Sequence, residues 1–180
     1  VVASLVNQAG ISGKVTYSDG APVTDAYVSS GVTGVNTGGT TSADGSYKAI
    51  FPYGSVSGGM DVTHPNITYP NGSTLAWEYY IKYKGQLITS NLSQDFTIPK
   101  AVTQQVTVLD GDGKVVPNAA VQIGRYYVNE NLNRGDPAAV ISSNLPKANL
   151  KWNSSSTTDA NGMATLPAMP MSSPQQMWVS

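Results

Sequence analysis

One pattern occurs twice in this chain and most constrains its fold. Gly13-Lys14-Val15-Thr16-Tyr17-Ser18-Asp19-Gly20-Ala21-Pro22-Val23-Thr24-Asp25-Ala26-Tyr27-Val28 reads as strand, tight turn, strand. Val15 and Tyr17 alternate with polar residues, as a half-buried strand requires. Asp19-Gly20 supplies the turn, because glycine reaches positive φ without a Cβ clash. Pro22 leads into the next strand, where a missing N–H does no harm. About ninety residues later the pattern returns around Asp110-Gly111-Asp112-Gly113. Val15 precedes Gly20 by five positions and Val108 precedes Gly113 by five; Ala26 and Ala119 follow their glycines by six, Val28 and Val121 by eight. A second turn repeats as well, with Thr41 four before Gly45 and Thr158 four before Gly162. Agreement at so many offsets marks a duplicated unit.

The duplication divides the 180 residues into an overhang (1–9), a first domain (10–99) and a second (100–180), with Pro99-Lys100 as the boundary. Frequent turns and about seven short runs per copy predict an all-β chain of two tandem, Ig-like β-sandwiches. The ten tyrosines and the abundance of Val, Thr and Gly agree with strands and turns. Within the first copy, Tyr47, Ala49 and Phe51 form one expected strand, and Trp77, Tyr79, Ile81 and Tyr83 share a face of another. Residues 29–40 read as a loose loop or short strand, residues 65–73 as a surface loop, and residues 129–149 as a polar connection with little pattern.

Composition narrows the function. Charged residues are 12% of the chain, against roughly 25% in typical soluble domains, so Ser, Thr, Asn, Gln and Gly must cover the surface. A net charge of −1 argues against nucleic acid or an anionic membrane as partner. No run approaches the ~20 apolar residues of a membrane-spanning helix. Such a surface suits an extracellular protein whose signal peptide has been removed, and few carboxylates leave little to titrate in acid.

Catalytic machinery is not expected. With no cysteine and one histidine, His64, a nucleophile–base pair has a single possible base. The Asp110–Gly113 stretch resembles the start of a calcium loop, but Val121 stands where the closing acid belongs, so a hairpin turn is the simpler reading. Glu78, Glu130 and Asp136 form no spaced pair for glycosidase chemistry. Lys14 lies on the first strand without a matching acid motif for a Lys–Asn crosslink. No enzyme activity, cofactor or metal is expected. Trp77, Tyr79 and Tyr83 are either core or a sugar-binding platform, and an inward aromatic row is the commoner outcome. Asn66, Asn71, Asn91 and Asn153 each stand two residues before Ser or Thr with no intervening Pro. They are candidate N-glycosylation sites, expected in loops and hairpins.

The residues of the first copy, Gly13, Val15, Gly20, Pro22, Val23, Ala26, Val28, Thr41, Gly45 and Tyr47, resemble the carboxypeptidase-regulatory-like, or transthyretin-like, β-sandwich module. Val108, Gly113, Val115, Ala119, Val121, Thr158 and Gly162 carry the resemblance in the second copy, which departs from it at Pro117 and Ala164. The resemblance implies a fold and, by itself, no function.

After Gly162 the second copy has little chain left to close a sandwich, while Val1, Val2, Ala3, Leu5 and Val6 form a strand-like overhang with no hairpin partner. An open sandwich leaves an unpaired edge and apolar surface. The two ends together predict donor-strand complementation, with the overhang of one subunit completing a neighbour and Gly10 as the hinge. Such a contact runs head-to-tail and builds an open filament of identical subunits. In layout the chain is similar to the surface thread subunits of thermoacidophilic archaea, which implies a secreted, N-glycosylated structural protein serving adhesion and biofilm cohesion. Two other readings stand beside it: an accessory module pair of a secreted enzyme or adhesin, and a carbohydrate-binding module.

Overall fold

The computed structural model describes residues 8–32, 35–52, 54–56, 59–82, 86–88, 90–125, 149–170 and 176–180. They form an all-β, sandwich-type fold without a helix. The strands are β1 (Gln8–Tyr17), β2 (Tyr27–Val32), β3 (Val35–Thr40), β4 (Ser46–Pro52), β5 (Gly54–Val56), β6 (Gly59–Thr68), β7 (Thr74–Lys82) and β8 (Gln86–Ile88). They continue as β9 (Leu92–Ser93), β10 (Phe96–Ile98), β11 (Val102–Thr107), β12 (Ala120–Arg125), β13 (Asn149–Thr157), β14 (Met163–Ala168) and β15 (Gln176–Val179). Two compact units result. The first holds the described residues up to Thr63 and from Tyr79 to Ile98; the second holds His64–Glu78, residues 99–125 and those from Leu150 onward.

In the first unit β1 is the middle of a sheet. β4 runs antiparallel on one side, from Gln8↔Pro52 to Lys14↔Ser46. On the other side residues 91–98 run parallel, as β9 (Ile11↔Leu92) and β10 (Val15↔Phe96 to Tyr17↔Ile98). A further sheet includes the run β3-β2-β6. Ala9, Ile11 and Val15 are buried with Val28, Met60, Val62, Tyr79, Phe96 and Ile98. Phe96 meets Tyr47 at 5.8 Å and Tyr79 edge-on at 6.2 Å between ring centroids, favourable aromatic geometries.

The second unit repeats the β1–β4 pairing and its turns. The β11–β14 register runs from Val102↔Ala168 to Thr107↔Met163. It is the β1–β4 register carried over with Val15 matched to Val108 and Gly45 to Gly162. Val15 N–H donates to the Gly45 carbonyl at 2.9 Å, and Val108 N–H to the Gly162 carbonyl at 2.8 Å. Thr41 Oγ1 accepts from Ala26 N–H at 3.1 Å, and Thr158 Oγ1 from Ala119 N–H at 2.8 Å. Asp25 and Asn118 share a φ of 59°, a left-handed conformation that these short polar side chains tolerate. The repeat also fixes an equivalence. Val23 N–H bonds the Val15 carbonyl as Val116 N–H bonds that of Val108, so the place of Pro22 is taken by Val115, not by Pro117. The unit's other strands include the run β15-β12-β13-β7. Trp77, Val121, Ile123, Trp152, Leu166 and Met169 are buried in this unit.

Three local expectations change. Residues 29–40 include the β2–β3 hairpin. Residues 65–68, expected in a loop, extend β6. β2 pairs with β6 only as far as Tyr27↔Thr63, so the missing N–H of Pro65 costs nothing on that side. The β6–β7 turn is then tight, with Tyr69 N–H to the Ser73 carbonyl at 2.9 Å and Gly72 at φ 80°. Finally, Gly10, the expected hinge, is part of a strand. It lies inside β1, opposite Ile50, and its N–H donates to Asn91 Oδ1 at 2.8 Å.

Candidate functional site

The two copies differ in what lies beside the equivalent strands β1 and β11. Strands alternate which edge their N–H and C=O groups face. Val108 N–H points to β14, so Val106, Gln104 and Val102 do too, and Thr103, Gln105 and Thr107 face the opposite edge. Their counterparts on β1 are Gly10, Ser12 and Lys14, and all three are bonded to residues 91–95. Gly10 N–H reaches Asn91 Oδ1, Lys14 N–H reaches Asp95 Oδ1 at 2.8 Å, and the Ser12 carbonyl accepts from Gln94 N–H at 2.9 Å. Along β11 no strand occupies this position among the described residues, and its sheet has two strands. The Gln105 carbonyl receives the neighbouring Gln104 Nε2 at 3.2 Å.

Side chains tell the same story. Ala9 is 1% exposed, and its counterpart Val102 is 51% exposed. Ile11 is fully buried, whereas Gln104 is exposed. Phe96 and Ile98, which close the first unit beside β1, have no counterpart beside β11 among the described residues.

The facing surface is also reshaped. In β1, Gly13 lies under the Gln94 backbone: a Cβ there would overlap the Gln94 carbonyl and approach its carbon to 2.6 Å. Opposite Gly13, Tyr47 donates its hydroxyl to the same carbonyl at 2.7 Å. The corresponding pair on β11–β14 is Val106 and Ala164. A Val–Ala pair replaces Gly–Tyr, so bulk moves from the β4 or β14 side of the pair to β11. β11 therefore offers its edge to a regular extended strand, not to an inward dip like that at Gln94.

The expected site residues fall as follows. Val1, Val2, Ala3, Leu5 and Val6 lie outside the described residues, as do Tyr83, Glu130 and Asp136. Trp77 and Tyr79 are buried, and Trp77 meets His64 at a tilt with ring centroids 5.6 Å apart, so Trp77 is a core side chain and presents no sugar platform. His64 Nδ1 lies 2.7 Å from the Pro65 carbonyl. The Asp110 turn is a hairpin turn, with Oδ1 accepting from Asp112 and Lys114 N–H, both at 2.9 Å. Asp159 repeats this arrangement with Asn161 and Met163, whose N–H groups hold its carboxyl below the usual range. Lys14 forms an exposed ion pair with Asp44 at 3.3 Å.

All four sequon asparagines are exposed. Asn71 sits in the β6–β7 turn and Asn91 just before β9, whereas Asn66 and Asn153 lie within strands β6 and β13, contrary to the loop expectation. Asn71 is also structural: Nδ2 donates to the Thr165 carbonyl at 2.9 Å, and Oδ1 accepts from Ser73 N–H and Oγ.

No protein-family model matches the chain, and no curated protein sequence matches it. No motif within a single copy marks the open edge. Its signal lies in the two copies: Ile11 becomes Gln104 and Tyr47 becomes Ala164 while the glycines and threonines keep their spacing within each turn.

Proposed function

We propose that this protein is a structural subunit of an extracellular surface filament, polymerising head-to-tail as the N-terminal segment of one copy adds a strand to β11 of the next. The observation that carries the reading is the Thr103–Gln105–Thr107 edge, unpaired among the described residues, on a framework whose twin is closed at that edge by residues 91–98. Val1, Val2, Ala3, Leu5 and Val6 supply apolar residues on both faces of an extended segment. Seven residues span roughly 23 Å at ~3.3 Å each, enough to cover the six residues of β11. The contact uses different surfaces on each partner, so it does not close on itself. Identical subunits and N-linked glycans at Asn66, Asn71, Asn91 and Asn153 are the proposed partners, and cohesion between cells is the proposed role.

Electron microscopy and size-exclusion chromatography of the whole chain and of a variant lacking residues 1–7 test this. The whole chain should form uniform filaments. The truncated form should be a folded monomer that the free peptide of residues 1–7 stabilises against heat. Dispersed whole-chain monomers at high concentration, or filaments from the truncated form, would overturn the proposal.

A further inference from the structure

The outer face of the β15-β12-β13-β7 sheet carries a concavity of about 390 Å³, within the ~300–1,000 Å³ range of ligand pockets. Asn66, Thr74, Gln122, Asn153, Ser155 and Trp178 line it, and none of these side chains is charged. Trp178 is 45% exposed, an unusual position for so large an apolar ring. Trp178 pairs with Gln122, and Gln122 with Ser155, whose Oγ lies 2.8 Å from Thr74 Oγ1. A ring of neutral hydrogen-bonding groups thus borders one aromatic plate, the combination that suits a neutral sugar: stacking for its C–H face and amides and hydroxyls for its rim.

Two rim residues, Asn66 and Asn153, can supply that sugar, and Asn153 stands two strands from the Trp178 strand against four for Asn66. Asn153 opens the sequon Asn153-Ser154-Ser155. Across the sheet from it stands Gly124, and beyond Gly124 is Gln176 on the Trp178 strand. A Cβ on Gly124 would meet the Asn153 Cβ at 3.3 Å, so the glycine leaves a lane beside the asparagine. Two strand spacings across and two residues along place Asn153 about 12 Å from Trp178, a distance one or two sugar rings bridge.

We propose that this concavity seats the first sugars of a neutral N-linked glycan on Asn153, with a pyranose ring lying on the Trp178 indole. Attachment forms the bond from Asn153 Nδ2 to sugar C1, breaks the C1–O bond to the phosphate of a lipid-linked oligosaccharide, and releases the Nδ2 proton. The inference is independent of polymerisation. The seated glycan covers the exposed face of the edge strand β15 and blunts its stickiness.

The whole chain, produced in a secretory eukaryotic cell line, is examined by peptide mass spectrometry, and its glycan is then removed with a peptide amidase. Asn153 should carry a glycan, and its release should change the indole fluorescence of the wild type but not of Trp178→Ala. Release should be about tenfold faster from Trp178→Ala, with Trp178→Tyr between the two. Trp178 is exposed, so both variants should keep the wild-type melting transition; if Trp178→Ala fails to fold, the Tyr variant and Asn153→Gln carry the comparison. An unmodified Asn153, or equal release rates with unchanged fluorescence, overturns the proposal. So does tight binding of free neutral oligosaccharides to glycosylated wild type, which would show the seat open to an outside ligand.

Discussion

A proline at Gln105 separates acceptance of a strand from folding. The Gln105 N–H points to the open edge of β11, so Gln105→Pro leaves the β11–β14 ladder intact. Proline is tolerated at such edge positions, and the residue before it stays extended. A docking strand, however, loses the central donor of the edge. One net hydrogen bond is worth about 1 kcal/mol, and the acceptor left buried without a partner costs a further 1–3 kcal/mol. The sum, about 2–4 kcal/mol, weakens each subunit contact roughly 30- to 700-fold. Gln104→Pro is the control, because its N–H belongs to the ladder and its loss destabilises the second unit itself. Urea unfolding and sedimentation of both variants provide the assay. Gln105→Pro should unfold near the wild-type midpoint yet remain monomeric where the wild type polymerises. Filaments of normal length from Gln105→Pro would refute β11 as the acceptor even if removal of residues 1–7 abolishes them.

Further outcomes follow from the paired copies. Gly13→Ala drives a methyl into the Gln94 backbone and should lower stability by about 1–3 kcal/mol, as overpacking does, measured by urea denaturation. Thr158→Val keeps the shape but removes an Oγ1 that accepts from Ala119 N–H and donates to the Val116 carbonyl, both at 2.8 Å; the same assay should show a loss of about 1–3 kcal/mol. The Asp44 carboxyl is held at about 2, first by the Ser46 hydroxyl and amide and then by Lys14, against a usual 3.8. Because this value is depressed in the folded state, its contribution is complete above pH 3.8 and is lost as pH falls through about 2. The melting-temperature difference between wild type and Asp44→Asn should therefore be flat near neutrality and shrink between pH 3.8 and 2; a flat difference throughout would refute the assignment.

The glycines and hydroxyls of the duplicated turns determine much of the fold through local demands. Gly20, Gly45, Gly113 and Gly162 all adopt positive φ, and Thr41 and Thr158 make the same bond to the same relative amide. These are short-range demands, visible as spacing, and they determined an all-β chain with two copies of one framework. The sequence also marked four candidate asparagines, because a sequon is local. What lies beside a strand is a different matter. Residues 91–98 reach β1 from some eighty positions away, and Gly10 looks like a pivot until its N–H is found on Asn91. Trp77 could face solvent or core with the same alternation, and only sheet packing buried it while leaving Trp178 exposed. Pairing across such distances depends on which edges remain after the nearer strands have joined. Tertiary structure alone therefore decided that β1 is closed, that β11 lies open among the described residues, and that Asn153 shares a concavity with Trp178.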